Sequence, residues 1–230
     1  VVFANPRVTA PPLFADRRSA GRLLAARLCR LASREGGGAG ELLVLALPRG
    51  GVPAAREVAD ALAAPLDVLV TRKIGYPRQP ELGVGAIAEG GEPVYDDELL
   101  ARLGLSRAAL RPVAERERAE LGRRVRAYRG GRPPPDVTGR TVILVDDGLA
   151  TGVTARAALR SLRDRSAGRT VLAVPVAAPS SLAELRREAD AVVALAAPES
   201  FRAVGEWYDA FGQLTDSDVL GLLGRGGEAG

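Results

Sequence analysis

Two adjacent aspartates, Asp146 and Asp147, follow the apolar run Val142-Ile143-Leu144-Val145 and precede Gly148-Leu149-Ala150-Thr151-Gly152-Val153-Thr154. Neighbouring carboxylates at the end of a strand can accept hydrogen bonds from two vicinal hydroxyls. A small-residue loop leading into a helix presents backbone N–H groups suited to a phosphate. Gly148 and Gly152 permit close approach and unusual dihedrals, and Thr151 and Thr154 add hydroxyl donors. Together these groups suit a phosphorylated sugar. The plainer alternative is a strand–loop–helix join whose acids cap the helix; two acids followed by G-x-x-T-G argue against it.

A second oddity is Val70-Thr71-Arg72-Lys73-Ile74-Gly75. Lysine and arginine together number 32, and Lys73 is the only lysine. Arginine is a rigid planar fork, whereas lysine is a compact point charge on a flexible stem.

The elements that must position these residues follow from the apolar periodicity. Ser19 to Ser33 places Leu23, Leu24, Ala25, Leu28 and Leu31 on one helical stripe, which the run Gly36–Gly40 should end. ELLVLAL, LDVLVT, RTVILV (140–145), RTVLAVPVA and AVVALAA read as strands, the first buried on both faces. VPAAREVADALAA, VTARAALRSLRDR and SSLAELRREA read as helices. The alternation implies an α/β fold, a mostly parallel twisted sheet with helices on both faces. Ligands in such sheets bind at the carboxyl ends of the strands, where strand order reverses. Residues 106–130 read as a long solvated helix laced with ion pairs, with an RNA-facing surface as the alternative. Pro133 to Pro135 impose an extended connection.

Composition narrows the chemistry. The 230 residues contain no histidine and one cysteine, Cys29, so imidazole catalysis, an intramolecular disulfide and a cysteine zinc cluster are excluded. A cytoplasmic setting is the expectation. The net charge of +4 comes from 32 bases nearly balanced by 28 acids, a weak case for nucleic acid. No apolar run is long enough to span a bilayer, and the first residues do not read as a signal peptide. Gly83 to Ala88 fits G-x-G-x-x-A but lacks the strand before it and the helix after it that a dinucleotide site needs. No G-K-[ST] occurs.

VILVDDGLATGVT resembles the phosphoribosyl-diphosphate (PRPP) signature of type I phosphoribosyltransferases. The resemblance implies that Asp146 and Asp147 hold the ribose hydroxyls and that Gly148, Leu149, Ala150, Thr151 and Gly152 hold the 5-phosphate. Leu47-Pro48-Arg49-Gly50-Gly51 resembles the family's diphosphate loop, often built across a non-proline cis bond, and Arg49 adds a suitable charge; a helix-start turn is the alternative. Arg72-Lys73-Ile74-Gly75 resembles the Arg-Lys-x-Gly run of the adenine branch, whose basic residues approach the diphosphate before a flexible loop. Glu89 matches that branch's loop glutamate, which acts on the base. A chance strand-edge position is the alternative, and Glu81 is the competing acid. Ala150 stands where the hypoxanthine–guanine branch has an aspartate, and Tyr76 replaces a further lysine of the adenine branch. Phe201 and Trp207 resemble a base-stacking segment, with a core role equally open.

The resemblance therefore implies Mg²⁺-dependent transfer of a phosphoribosyl group from PRPP to a purine-like base, with diphosphate released. Catalysis would fall to Lys73, Glu89, Asp146 and Asp147, with residues 74–90 closing over the site. Mg²⁺ would be held mainly through PRPP or diphosphate, with no protein-only metal site. A homodimer with no membrane or nucleic-acid partner is expected. The expected division is a tail or strap at 1–13, the α/β core at 14–198 and a C-terminal hood and helix at 199–230. A PRPP- or nucleotide-sensing RNA-binding regulator of the same fold is the alternative.

Overall fold

The computed structural model describes residues 2–5, 12–34 and 41–224. Along the chain run β1 (Val2–Asn5), α1 (Arg17–Arg34), β2 (Leu42–Ala46), α2 (Gly51–Ala61), β3 (Leu66–Val68), β4 (Thr71–Tyr76), β5 (Gln79–Ala88) and β6 (Val94–Tyr95). There follow α3 (Asp97–Leu103), α4 (Arg107–Arg129), β7 (Thr141–Val145), α5 (Val153–Asp164), β8 (Arg169–Val176), α6 (Pro179–Leu185), β9 (Ala191–Ala196), a short 3-10 turn at Val204–Trp207 and α7 (Asp216–Leu222). Six strands form one sheet in the order β1-β9-β8-β7-β2-β3, and every pair is parallel.

The apolar runs are strands because both faces of this sheet are covered. Side chains alternate across a strand. Leu43, Leu45, Val142, Leu144, Leu172 and Val174 therefore share one face with Leu159 and Leu162 of α5 and Leu182 of α6. Val44, Ala46, Ile143, Val145 and Ala173 share the other with Leu24 and Leu28 of α1 and Val52 and Val58 of α2. One expected member of the α1 stripe departs: Leu23 is 53% exposed. The glycine run 36–40 lies outside the described residues. Within the stretch expected to be a tail or strap, Val2–Asn5 form the edge strand beside β9.

The larger correction concerns residues 74–90. They are not a loop here. β4 and β5 pair antiparallel, Lys73 opposite Ala86 and Ile74 opposite Gly85, and β6 extends them to a second sheet. Ile74 and Val84 are buried against Leu100 of α3 and Leu110 and Ala114 of α4, which gives the hairpin its own small core. LDVLVT consequently serves two sheets: Leu66–Val68 pairs with β2, and Thr71 opens β4. The Arg-rich helix is present as expected, but it is not solvated all round. Leu110, Ala114, Leu121, Tyr128 and Arg129 are buried.

Candidate active site

Strand order reverses between β2 and β7. The chain leaves β2 toward β3 on one side and later returns to β2's other side with β7. Ala46 of β2 lies opposite both Val68 of β3 and Val145 of β7. The segments that follow these three strands, 69–73, 47–51 and 146–152, therefore emerge together at one end of the sheet. They border a cleft of about 690 Å³ lined by Pro48, Gly50, Arg72, Lys73, Asp146, Asp147 and Gly148 to Gly152.

Packing between two of these loops explains their glycines. A Cβ on Gly50 would fall on the Asp147 carboxylate. One on Gly51 would lie 2.5 Å from the Val145 carbonyl oxygen and 2.9 Å from the Asp146 Cα. The Pro48–Arg49 peptide is cis, as the resemblance implied. Leu47 N–H donates to the Val145 carbonyl at 2.9 Å, continuing the ladder into the loop. The Arg49 side chain is not a lining group: it turns to Asp216 of α7, Nη1 to Oδ1 3.7 Å.

The second loop is anchored at its middle and open at its end. Leu149 N–H donates to the Val176 carbonyl, the Leu149 carbonyl accepts from Ala178 N–H, and the Ala150 carbonyl accepts from the Ser181 hydroxyl. Gly148 lets Val204 pack within the space a Cβ would need, and Gly152 takes φ +69° as it starts α5. Among the described residues, the amides of Ala150, Thr151 and Gly152 donate to no protein group. Three free N–H groups beside a helix start are able to take an anion.

The aspartates are unequal. Asp146 Oδ1 accepts the Asp147 N–H at 2.9 Å. Burial, and then the neighbouring Asp147 charge, push the Asp146 carboxyl well above the usual carboxylate range, while Lys73 pulls the other way. Asp147 accepts from Arg17 Nε at 2.7 Å, and its carbonyl accepts from the Tyr208 hydroxyl at 2.6 Å. Burial pushes the Tyr208 hydroxyl far up, so it stays a donor.

The opposite wall comes from the hairpin and α4. Lys73 is exposed on β4, and among the described residues no hydrogen bond or ion pair holds its ammonium group. Arg72 is paired with Glu117, and Val113, Arg116, Glu117 and Arg124 carry α4 along the cleft. The sequence marks out no role for Arg17, and 106–130 read there as a solvated or RNA-facing helix, not as a wall of this cleft.

Four expected participants stand elsewhere. Glu89 does not line the cleft; Arg129 forks onto it with bonds of 2.8 and 2.9 Å, and Ser161 Oγ donates to its carbonyl at 2.6 Å. Burial pushes its carboxyl up, and Arg129 and Arg165 pull it back. Glu81 is exposed on β5, outside the lining. Trp207 is 1% exposed, packed with Phe14, Val176 and Ala196, and Phe201 stacks on it at 6.4 Å. No indole face is open to a base. What the segment gives the cleft is Val204 against Gly148 and Tyr208 against Asp147.

No helix among the described residues is long and apolar enough to cross a membrane. Comparison with known proteins agrees with the geometry. Proteins from two Mycobacterium tuberculosis strains, each named "Putative phosphoribosyl transferase", are 46% identical over 213 residues. The match covers 93% of this chain and 47% of theirs, so the chain spans about half the length of these relatives. The crystal structure of TT1426 from Thermus thermophilus is 44% identical, with a TM-score of 0.74 over 92% of this chain and 97% of that one. A family model described as "Phosphoribosyl transferase domain" matches residues 20–205. With the acid pair, the free amides and the two glycine-tight loops at one switch point, this chain belongs to the phosphoribosyl transferase domain family.

Proposed function

We propose that this chain transfers the 5-phosphoribosyl group of PRPP to a nitrogen of a purine-like base and releases diphosphate. The observation that carries the reading is the meeting, in one cleft, of an acid pair with the unpartnered amides of Ala150, Thr151 and Gly152. The amides and the Thr151 hydroxyl take the 5-phosphate. The carboxylates of Asp146 and Asp147 accept the ribose hydroxyls. The loop at 47–51 takes the diphosphate along its backbone.

In the transfer, the acceptor nitrogen bonds to C1 of the ribose as the bond from C1 to diphosphate oxygen breaks; that bond's electron pair leaves with the diphosphate, and the proton the acceptor nitrogen sheds passes to solvent. Lys73 and Arg72 meet the charge that builds there. Among the described residues no three acidic, cysteine or histidine side chains cluster to make a metal cage. A divalent ion carried on PRPP fits this site, with the two aspartates as candidate protein ligands, as suits Mg²⁺. When bound it would neutralise part of the diphosphate charge. The β4–β5 hairpin and α4 wall the cleft opposite the acid pair and limit water there.

The test is calorimetry with PRPP, with and without Mg²⁺, followed by a panel of bases scored for diphosphate release. Binding of PRPP and release with at least one base are expected. Native protein that binds no PRPP sinks the reading. Normal PRPP binding by the double variant Asp146→Asn, Asp147→Asn would overturn the site assignment.

A further inference from the structure

Two segments far apart in the sequence, 13–15 and 207–210, meet beside the acid pair. Leu13 and Phe14 N–H donate to the Trp207 carbonyl at 3.0 and 3.1 Å. Asp209 N–H donates to the Phe14 carbonyl and Ala210 N–H to the Ala15 carbonyl, each at 2.9 Å. Residues 13–15 and 207–210 thus run side by side in parallel. Asp16 then fixes the start of α1: its Oδ1 accepts the Ser19 N–H at 2.6 Å, and Ser19 Oγ accepts the Asp16 N–H at 3.0 Å.

This ribbon and cap leave Arg17 little freedom. Its guanidinium carbon sits 3.7 Å from the centroid of the Phe211 ring, and Nη1 donates to the Gly212 carbonyl at 2.9 Å. Nε is then aimed at Asp147 Oδ2, at 2.7 Å, with the two side chains only 11% and 14% exposed. Phe211 stacks on Tyr208 at 5.0 Å, and the Tyr208 hydroxyl donates to the Asp147 carbonyl. Asp147 is gripped twice by the same terminal assembly, once at its carboxylate and once at its backbone.

We propose that Arg17 is a positioning residue for the ribose of PRPP, which deepens the functional reading above and rests on it. The guanidinium engages one Asp147 oxygen and leaves the other for a ribose hydroxyl. Its charge offsets the repulsion between the adjacent carboxylates. A planar fork held flat on a ring sets the direction of Nε; a lysine at this position would supply charge without direction. The clamp also explains why the chain places Tyr208 and Phe211 beside the acid pair.

The experiment is calorimetry of native protein, Arg17→Gln, Arg17→Lys and Phe211→Leu with two probes, PRPP and inorganic diphosphate. Diphosphate does not use the ribose acids, so it reports the rest of the cleft. Arg17→Gln is expected to weaken PRPP by about 10²-fold and to leave diphosphate unchanged. Arg17→Lys should recover only part of the loss, and Phe211→Leu should show the same PRPP-selective loss in smaller degree. Full PRPP affinity in Arg17→Gln, or equal loss of both probes, overturns the proposal while the functional reading stands. Native protein that binds neither probe removes both. Should Arg17→Gln fail to fold, Phe211→Leu decides: native PRPP affinity in that variant overturns the clamp.

Discussion

Arg72 of β4 and Glu117 of α4 form an ion pair inside the cleft, with Nη2 and Oε2 2.7 Å apart and the side chains 26% and 16% exposed. The pair joins the hairpin to the long helix where both face the acid pair. It belongs to a wider pattern. Arg124 is held by Glu120, Arg49 faces Asp216, and Asp147 is held by Arg17. Most charges around the cleft are balanced from within, so an incoming anion competes with internal carboxylates. Lys73 is outside this arrangement.

Glu117→Gln is therefore expected to tighten diphosphate binding, by about five- to tenfold at low salt, by freeing Arg72. The gain should shrink at about 1 M salt, where charges are screened beyond about 3 Å. Calorimetry at two salt concentrations measures it. Weaker diphosphate binding by the variant would mean that Arg72 acts only as part of the pair.

Lys73→Arg is expected to fold normally, because the side chain is exposed on β4, and surface changes of this kind stay within about 0.5 kcal/mol. Turnover should fall about tenfold, since a broader, stiffer cation cannot follow the leaving diphosphate as a point charge does. A thermal melt and steady-state kinetics check the two halves. Unchanged turnover would make the only lysine incidental.

The contrast between these residues and Glu89 shows what the sequence could carry. The sheet was legible because strands buried on both faces read as unbroken apolar runs, as in Leu42–Ala46 and Thr141–Val145. The acid pair and Gly50-Gly51 were legible because each loop joins consecutive elements and its chemistry is local. Glu89 was not, because spacing alone does not say that 71–88 fold back as a hairpin and bring the acid to Arg129, 40 residues away. Arg17 was less legible still. Its partner lies 130 residues on, and nothing marks it among the other arginines except the Asp16/Ser19 cap beside it. Trp207 lent itself to two roles, and burial decided between them.

Arg129→Met should cost about 3–5 kcal/mol, the range for breaking a buried pair from one side. Arg129 is 2% exposed, and it also donates to the Val68 carbonyl at 2.7 Å, so it ties α4 to β3 and Glu89 at once. Glu89→Gln should cost less, because an amide oxygen still accepts from the guanidinium. Neither variant is expected to alter PRPP affinity in the protein that remains folded. Denaturant unfolding and calorimetry test this; a selective loss of transfer activity in Glu89→Gln would return Glu89 to the site.

Gly50→Ala is expected to abolish PRPP binding, since the new methyl would occupy the place of the Asp147 carboxylate. Overpacking of this kind costs about 1–3 kcal/mol. Gly221→Ala is the control: its Cβ meets nothing within 4 Å, and it lies inside α7. There alanine should stabilise by up to about 1 kcal/mol with PRPP binding intact. Melting curves and calorimetry on both variants separate loop crowding from a general effect of adding a methyl.

Asp146 sets the pH dependence. Its folded-state carboxyl is raised well above its ordinary value of 3.8, by burial first and the Asp147 charge second. Between the unfolded and folded values the native state holds a proton that the unfolded state has released, so stability falls as pH rises through that window. The contribution is full below about pH 3.8 and is lost by the time pH passes the raised folded value. Asp146→Asn removes the titration and keeps an oxygen to accept the Asp147 N–H. The variant should melt higher than native protein near neutral pH, by about 2–4 °C for each kcal/mol gained, and the difference should vanish toward acid pH. It should also lose PRPP binding, as expected where a site holds a group that folding alone disfavours. Melts across the pH range give the answer: a variant less stable than native protein at neutral pH would show that Asp146 is held as a stabilising anion and that this account of the acid pair is wrong.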